Sequence, residues 1–427
     1  MGEWTVSRNN DDDDKPKRKA AKPVARRSAL KTSGLAAAGV LGLAAAAIGG
    51  RAYQTGALNA FDEGLGFEPL RAWKAQLAAF KAAKGAKTGS PLTGNAKGLI
   101  AAGLLAASPH NSQPWKFIIR DKTIDVLADD ARNLGAIDPR RREMLIGLGC
   151  CIENMVLGAS AVGITPLLNV FPDGPEGATI ARITIYDGTG QVSKEAEALA
   201  RRQTDRGPYV VARQIDSKIL TALDALVSSA STKLIWLRAE TDAGKRFAAA
   251  TIKATADFIA DAELVAASDK WMRLGPGSHS DGVTLPTVGL PPLMTRMALM
   301  VPKGLSGDPN QAWLEMTRDV HVATAPQFGL ITVPSLDDRE SLVEAGRLWQ
   351  RLHVQATIMG LSVQPLNQLL EMADRDAALT RPSPAATSLA GLATLSDSVF
   401  AFAFRMGYSR SITNPSPRRG ITEVTAA

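Results

Sequence analysis

The stretch REMLIGLGCCIENMVLGASAVGIT, residues Arg142–Thr165, gives the strongest indication of the fold. It recurs without gaps as RESLVEAGRLWQRLHVQATIMGLS at Arg339–Ser362, an overlay that places Gly149 on Gly346. Each copy reads as a long helix, and the first is apolar on nearly every face, which is typical of a buried helix packed closely against another. We therefore expect the two copies to face each other, as equivalent helices do in a twofold dimer. Chance similarity between two amphipathic helices is the alternative.

The ends of the two helices also correspond. Asp138 and Ser335 precede the copies at matching positions, and both residue types are good helix N-caps. Gly163 and Gly360 occupy matching positions at the far ends, where glycine commonly terminates a helix. The residues expected to begin and end each helix are therefore repeated along with the helix itself.

Runs of strand-forming residues surround both helices. Lys116–Arg120 and Thr123–Leu127 read as a hairpin joined at Asp121-Lys122. The other strand candidates are Leu168–Phe171, Ile180–Tyr186, Lys233–Leu237, Gly329–Val333 and Val399–Phe404. Helices mixed with hairpin strands predict an α+β fold. The sequence has no GxGxxG or Walker loop, which argues against Rossmann dinucleotide binding and P-loop chemistry.

Composition is that of an ordinary globular protein. The 427 residues are 45% apolar and 21% charged, enough for two or three domains or one large fused unit. The net charge of +7 lies partly in the N-terminal tail, and no Lys/Arg stripe with interleaved aromatic residues predicts nucleic-acid binding. Cys150 and Cys151 lie in an apolar helical run and read as small core residues. The four histidines are scattered, and no cysteine or histidine cluster predicts a metal site.

The N-terminus has the order of an export signal. Residues 1–25 are highly charged and are expected to be disordered. Arg26-Arg27 then precedes the uncharged apolar stretch Thr32–Gly50. The arginine pair resembles a twin-arginine signal, so we interpret residues 1–51 as a tail plus an address to the periplasm through the twin-arginine export machinery. A retained N-terminal membrane anchor is the alternative.

The sharpest chemical motif is SPHNSQPW at Ser108–Trp115, between a predicted helix and a predicted strand. Its two prolines force a non-helical path, and a plain loop with Trp115 filling the core is the alternative. The segment resembles the flavin-contacting loop of FMN-dependent nitroreductases, P-S-x-x-N-x-Q-P-W, although Ala107 stands where that family has proline. The resemblance implies that Ser108 and Asn111 face the flavin.

The second motif is RRQTDR at Arg201–Arg206. Three guanidinium groups and a hydroxyl group within six residues suit a phosphate, although a solvated basic helix end has the same composition. The segment resembles the phosphate motif of nitroreductases. That resemblance implies that Arg202, Thr204 and Arg206 bind the FMN phosphate and ribityl chain, with Gln203 adding a contact.

Two further segments resemble nitroreductase flavin contacts. In PSPRRG, residues 415–420, Arg418 matches a C-terminal arginine that returns to the phosphate, and Arg419 is the alternative. The segment QPLNQ, residues 364–368, resembles a loop along the flavin N5 edge. Asn367 and Gln368 are the candidates there, and a plain loop is the alternative.

The resemblance covers roughly residues 95–424 and is to the internally fused, Acg-type branch of nitroreductase-like proteins. It implies two pseudo-twofold halves, 95–190 and 191–427, after a helical lead-in at 52–94 that has no counterpart. The glycine- and proline-rich insert at 271–290 falls where that branch has a lid over the flavin. Because the motifs for one site are divided between the halves, we expect one FMN per chain in a monomer that mimics a homodimer.

The resemblance implies two-electron transfer through flavin N5 to a small-molecule acceptor. The sequence requires no general acid or base, and His110 and His279 are interpreted as structural. The competing class is a flavin-holding protein without turnover, because an exported protein does not meet cytoplasmic NAD(P)H and a lid would block the hydride donor. A binding protein that has lost flavin is a third class, against which the retained phosphate arginines count.

Overall fold

The structure is a computed structural model that describes residues 48–54, 57, 67–82, 92–188, 192–274, 279–301, 307–393, 397–410 and 414–426. The chain divides into two compact units, residues 1–51 and 52–427. Residues 48–51 of the first unit are described and are helical. The acidic tail and Arg26-Arg27 lie outside the described residues.

Residues 52–427 contain helices and antiparallel strands in irregular alternation, which confirms the α+β class. The described helices are α1 (Glu68–Ala82), α2 (Leu92–Leu104), α3 (Arg142–Gly158), α4 (Lys194–Ala198), α5 (Ser217–Asp224), α6 (Asp242–Ala260), α7 (Ala262–Asp269), α8 (Pro292–Met300), α9 (Pro309–Met316), α10 (Arg339–Ile358), α11 (Gln368–Ala378), α12 (Pro384–Ala390) and α13 (Ile421–Val424). The described strands are β1 (Trp115–Arg120), β2 (Thr123–Ala128), β3 (Ile164–Val170), β4 (Thr179–Asp187), β5 (Lys233–Arg238), β6 (Met272–Arg273), β7 (Val283–Thr284), β8 (Gln327–Val333), β9 (Ser362–Pro365), β10 (Val399–Gly407) and β11 (Thr425–Ala426).

The strands form two main sheets. The first has the order β11-β1-β2-β4-β3, and the second has the order β5-β8-β10-β9. The predicted hairpin is confirmed, since β1 and β2 pair antiparallel from Trp115↔Ala128 to Arg120↔Thr123. Strand β11 pairs parallel with β1, placing Phe117 opposite Thr425. The end of the chain therefore completes the sheet that the first half begins.

Helices α3 and α10, the two repeated segments, pack directly against each other. Their crossing point is at the paired glycines. A Cβ atom added to Gly149 would overlap the carbonyl oxygen of Val343, and one added to Gly346 would overlap that of Ile146. Cys150 Sγ lies 3.3 Å from the carbonyl oxygen of Gly346, to which the thiol donates. The predicted face-to-face packing is confirmed, while a duplication as its origin stays a prediction.

The glycine ends are as predicted, because Gly163 and Gly360 have φ values of +66° and +74°. This left-handed conformation is accessible to glycine at low cost. At the start of α3, the carboxylate of Asp138 accepts hydrogen bonds from the backbone N–H groups of Glu143 (3.0 Å) and Met144 (2.9 Å). It therefore satisfies first-turn donors that would otherwise be unpaired.

The prediction of Ser335 as the N-cap of the second helix is wrong. Helix α10 begins at Arg339, and the Asp338 carboxylate accepts from the backbone N–H of Ser341 at 3.2 Å. Ser335 Oγ instead accepts from the N–H of Asp337 at 3.1 Å, within the preceding turn. A carboxylate one position before the helix is the better placed acceptor for its free N–H groups.

The core surrounds α3. The segment Arg142–Val162 is, among the described residues, a helix long and apolar enough to cross a membrane, but 83% of its apolar window is buried inside the protein. Its length and composition therefore reflect a core position. Cys150 and Cys151 are free and buried, which confirms their prediction as core residues, and burial raises the pKa of both thiols.

Candidate functional site

The loop Ser108–Pro114 links α2 to β1 through a strained path. His110, Asn111 and Gln113 have φ values of +48°, +53° and +53°, a region that non-glycine residues rarely occupy. Ser108 Oγ accepts a 3.0 Å hydrogen bond from the Gln113 N–H and holds the loop together. Trp115 is fully buried at the start of β1, as predicted. Such strain persists where surrounding contacts over-determine the conformation, commonly at ligand sites.

The Asn111 side chain joins three distant segments. Its Nδ2 donates to the carbonyl oxygens of Gly282 (3.0 Å) and Pro417 (2.9 Å). Its Oδ1 accepts from Arg418 at 2.9 Å. The structure thus brings together the Asn111 loop, the 271–290 insert and the C-terminal segment. Because these bonds use both Nδ2 hydrogens, an Asn111 contact to a ligand through that amide would replace one of them.

Arg202 and Arg418 form the charged centre of this region, and both are buried. Both donate to the carbonyl oxygen of Leu105, Arg202 at 2.9 Å and Arg418 at 3.5 Å. The Nε atoms of both arginines are buried without a hydrogen-bond partner. Among the described residues, neither guanidinium group has a carboxylate within 4.0 Å. The two guanidinium groups therefore carry positive charge that no carboxylate among the described residues neutralises.

Burial and mutual repulsion perturb these groups. Desolvation lowers the pKa of Arg202 to about 10. Desolvation, followed by the charge of Arg202, lowers the pKa of Arg418 to about 9. Both groups remain cationic at neutral pH. Their burial therefore destabilises the folded protein unless an anion binds beside them.

His353, on α10, orients Arg202. Its Nε2 lies 3.0 Å from the carbonyl oxygen of Gln203, and its Nδ1 lies 3.3 Å from Arg202 NH1. These distances assign the hydrogen to Nε2 and leave Nδ1 as the acceptor. Burial, and then the charge of Arg202, lower the pKa of His353 well below its usual value, which keeps the ring neutral. Sequence reasoning missed this residue because its partner lies in a distant segment.

Arg206 is the last residue of the RRQTDR segment. It donates from NH1 to the carbonyl oxygen of Thr287 at 2.9 Å, in the insert. Desolvation lowers its pKa to about 10, with a further lowering contribution from Arg405. Thr204 forms a backbone bridge with Val363 of β9. The segment is therefore fixed on the edge of the second sheet, with Arg206 bonded to the insert and Arg202 bonded to the carbonyl oxygen of Leu105.

Gln203 and Arg419 differ from these residues. Gln203 Oε1 is buried without a partner, whereas its backbone oxygen accepts from His353. Arg419 donates from its backbone N–H to Gln113 Oε1 at 2.8 Å and lies 3.5 Å from the Asp129 carboxylate. Since Arg419 has a countercharge and Arg418 has none within reach among the described residues, the geometry favours Arg418 as the anion ligand.

Asn367 and Gln368 lie at the start of α11. Asn367 Oδ1 accepts from the backbone N–H of Ala403 at 2.9 Å, a bond that ties α11 to β10. Gln368 Oε1 is buried without a partner. Among the described contacts, none connects either side chain to the Asn111 loop or to Arg202, so the structure does not bring them into the arginine centre.

The insert packs onto the Asn111 loop. Gly282 N–H donates to the Asn111 carbonyl oxygen at 3.2 Å, and Gln113 Nε2 donates to the Ser280 carbonyl oxygen at 2.8 Å. Asp281 forms ion pairs with Arg132 at 2.5 Å and Arg273 at 3.0 Å. Residues 275–278, with Gly275-Pro276-Gly277, lie outside the described residues. The described part of the insert therefore covers the loop by backbone and charged contacts.

His110, in the same loop, is half-buried and contacts α7. Its Nε2 lies 3.2 Å from Ser268 Oγ, and burial together with the charge of Arg206 lowers its pKa to about 4. It is thus neutral near pH 7. His279 Nε2 is buried without a partner.

Parts of the chain are similar in sequence to known proteins. No family model matches the chain. A Mycobacterium tuberculosis protein named "Putative NAD(P)H nitroreductase" is 26% identical over 275 residues, which cover 64% of this chain and 76% of that protein. A second protein of that organism, "Putative NAD(P)H nitroreductase acg", is 34% identical over 107 residues, or 24% of this chain and 32% of that protein.

Among solved structures, one match is the FMN-dependent nitroreductase of Mycobacterium smegmatis in complex with NADPH. It is 15% identical with a TM-score of 0.34, and the match covers 56% of this chain and 99% of that chain. By sequence, the chain is similar to the mycobacterial proteins named putative NAD(P)H nitroreductases.

Proposed function

We propose that this chain binds one FMN and acts as a nitroreductase-type oxidoreductase. Arg202, Arg206 and Arg418 would hold the phosphate, and the Asn111 loop would lie against the flavin. The proposal is supported by the names of the sequence relatives and by the match of the two motifs to flavin-binding segments.

One observation carries the proposal. Arg202 and Arg418 are buried, share the Leu105 carbonyl oxygen, and each keep a buried Nε without a partner. A phosphate dianion supplies both the missing countercharge and the missing acceptors, since guanidinium groups bind phosphate oxygens through paired N–H groups. The side chains present therefore fit the phosphate of FMN.

When bound, FMN supplies reversible two-electron exchange between a reduced donor and a small oxidised acceptor. The residues of this chain orient and enclose the group. Arg206 connects the phosphate motif to the insert through Thr287, and Asn111 connects its own loop to Gly282. Because the pKa of His110 is about 4, that residue is not a proton donor at neutral pH.

A second function is favoured by the insert. The backbone of Asn111 accepts from Gly282, and the side chain of Asn111 donates to Gly282. These reciprocal bonds keep the insert closed on the loop, which suits a protein that holds flavin and does not turn over with NAD(P)H. The distinction between enzyme and holder is kinetic.

An absorption spectrum of the purified chain, followed by anaerobic titration with NADPH and then dithionite, separates the candidates. A flavin band that NADPH bleaches within the mixing time supports the reductase. A flavin band that dithionite bleaches but NADPH does not supports the holder. A chain that neither retains flavin nor binds added FMN contradicts both functions.

We also propose export of the folded, flavin-loaded chain through the twin-arginine system, on the basis of Arg26-Arg27 and the apolar stretch Thr32–Gly50. The variant Arg26→Lys/Arg27→Lys should remain in the cytoplasm with FMN bound. If the variant protein were still found in the periplasm, that result would contradict the proposed export signal.

A further inference from the structure

Helix α8 exposes apolar side chains to solvent. Leu293, Met294 and Met297 are 71%, 54% and 54% exposed, and Val301, just after the helix, is 39% exposed. Their spacing places all four on one side of the helix, within about one third of its circumference. A surface helix ordinarily turns such residues toward the core, so this side is available for a partner.

The opposite side of α8 is the packed one. Thr295 and Leu299 are buried, and Leu299 lies in a small apolar cluster with Ala52 and Ala57. Tyr53, next to Ala52, is 84% exposed. The opposite side of α8 packs against the start of the unit 52–427. Poor packing of the helix therefore does not explain why its other side is exposed.

The chain that leads into this cluster indicates the partner. The stretch Thr32–Gly50, which ends just before Arg51 and Ala52, is uncharged and consists of apolar and small residues. Its length and composition suit entry into a bilayer. Ala52, which lies in one apolar cluster with Leu299, follows that stretch in the sequence after a single residue, Arg51.

Charge around the helix agrees with the same partner. The sequence contains no aspartate or glutamate between Asp281 and Asp308, whereas it has Arg296 and Lys303 there. Arg296 is an exposed residue of α8. Anionic headgroups attract such a segment, and acidic residues that would oppose the approach are missing from it.

We propose that α8 lies on the surface of a phospholipid bilayer, with Leu293, Met294 and Met297 inserted at the boundary between headgroups and acyl chains. A helix with apolar residues on one side and basic charge nearby binds membranes in this interfacial position. Flexible methionine side chains adapt to an irregular lipid surface. This docking surface is independent of flavin binding.

The test uses the full chain with a single introduced thiol. Because Cys150 and Cys151 are buried and their thiol pKa values are raised, a dye attached to Met297→Cys reports that position alone. Leu167→Cys is the matched control, since Leu167 is 57% exposed on β3, away from α8 in sequence. Both labelled proteins are mixed with vesicles of phosphatidylglycerol and phosphatidylethanolamine, after their unfolding midpoints are shown to match that of the unlabelled chain.

We expect the emission of a polarity-sensitive dye at position 297 to shift to shorter wavelength, and brominated acyl chains to quench it at least twofold. The dye at position 167 should respond to neither. An unchanged spectrum at 297, or equal quenching at both positions, would overturn the bilayer contact. A shift at 297 that depends on protein concentration without vesicles would also overturn it, and would assign the surface to a second copy of the chain.

Discussion

Arg202 and Arg418, which belong to distant segments of the chain, donate to the same backbone carbonyl oxygen, that of Leu105. Two buried guanidinium groups in this arrangement repel each other, and the pKa of Arg418 is lowered to about 9 by burial and by Arg202. In a protein interior such charges are stable only when paired. The relationship therefore makes anion binding the central expectation for this site.

Removal of either arginine should weaken FMN binding. Because one charge-assisted hydrogen bond contributes about 1.5–3 kcal/mol, Arg202→Ala and Arg418→Ala should each raise the dissociation constant about 10- to 100-fold. Arg419→Ala is the control, since Arg419 is already paired with Asp129. Quenching of flavin fluorescence during titration measures the constants. An Arg419 variant weakened as much as the Arg418 variant would reverse the assignment.

Loosening the insert should speed reduction by NADPH. Asp281 holds the insert through Arg132 and Arg273, so Asp281→Asn should weaken both ion pairs while leaving the phosphate ligands intact. We expect several-fold faster bleaching of the flavin band by NADPH in stopped flow, and an unchanged rate with dithionite. Deletion of residues 275–285 should give a larger effect.

The matched control for this experiment is Asp319→Asn, which breaks an exposed pair with Arg318. Fast NADPH reduction of the unaltered chain would show that the insert is not a barrier. Slow reduction even after the deletion would favour a holder, or an enzyme served by another donor.

Stability should decrease as pH rises from about 4.3 toward about 7, because acidic groups are buried together between α3 and α11. Glu143 and Glu371 are both buried and interact electrostatically, with Asp138 and Asp374 nearby. Burial is the largest cause that raises the pKa of Glu143, to about 7, against the lowering effect of Arg142. Burial raises the pKa of Glu371 well above its usual value.

A raised pKa means that folding favours the protonated carboxyl group. This contribution is complete below the unfolded pKa of about 4.3 and is lost as pH rises through about 7 for Glu143. We expect the unfolding free energy to fall between about pH 4.5 and about pH 7, and Glu143→Gln to reduce that fall by about 1–3 kcal/mol. Glu240→Gln, at an exposed position, should leave the profile unchanged. A Glu143→Gln profile as steep as the original would rule out this pair as the cause.

The helix crossing should not accept even one methyl group. In Gly346→Ala the new Cβ would overlap the backbone carbonyl oxygen of Ile146, which cannot rotate away. Overpacking of this kind costs about 1–3 kcal/mol or more, measured by urea unfolding. Gly391→Ala is the control, because its Cβ would lie 3.5 Å from the nearest atom outside its immediate neighbours. Equal stability of the two variants would show that α3 and α10 do not cross at the glycines.

Local sequence patterns predicted the helices and strands better than they predicted how these elements pair in the fold. The alternating residues of β1 and β2 and the glycines of α3 and α10 identified these segments, since such signals lie in consecutive residues. Strand β11 could not be predicted, because two residues, Thr425-Ala426, become a strand by pairing with β1. Tertiary contacts override local preference there.

The same difference appears in the site. The Asn111 loop and the Arg202 motif were visible because each is a compact run of unusual composition. His353 was not, because its role depends on Gln203 and Arg202, which approach it only in the fold. Asn367 has the residue type of a ligand, and its side-chain oxygen accepts a hydrogen bond from the backbone N–H of Ala403, so its flavin contact stays a prediction.

The most direct test of the central claim compares FMN with riboflavin, which lacks the phosphate. Purified chain, freed of flavin, is titrated with each, and the bound flavin per chain is counted after denaturation, with the mass measured by light scattering. We expect one FMN per monomeric chain and riboflavin binding at least tenfold weaker, with that preference lost in Arg202→Ala and Arg418→Ala. Equal affinity for FMN and riboflavin, or two flavins per chain, would contradict the claim that these arginines form a single phosphate site.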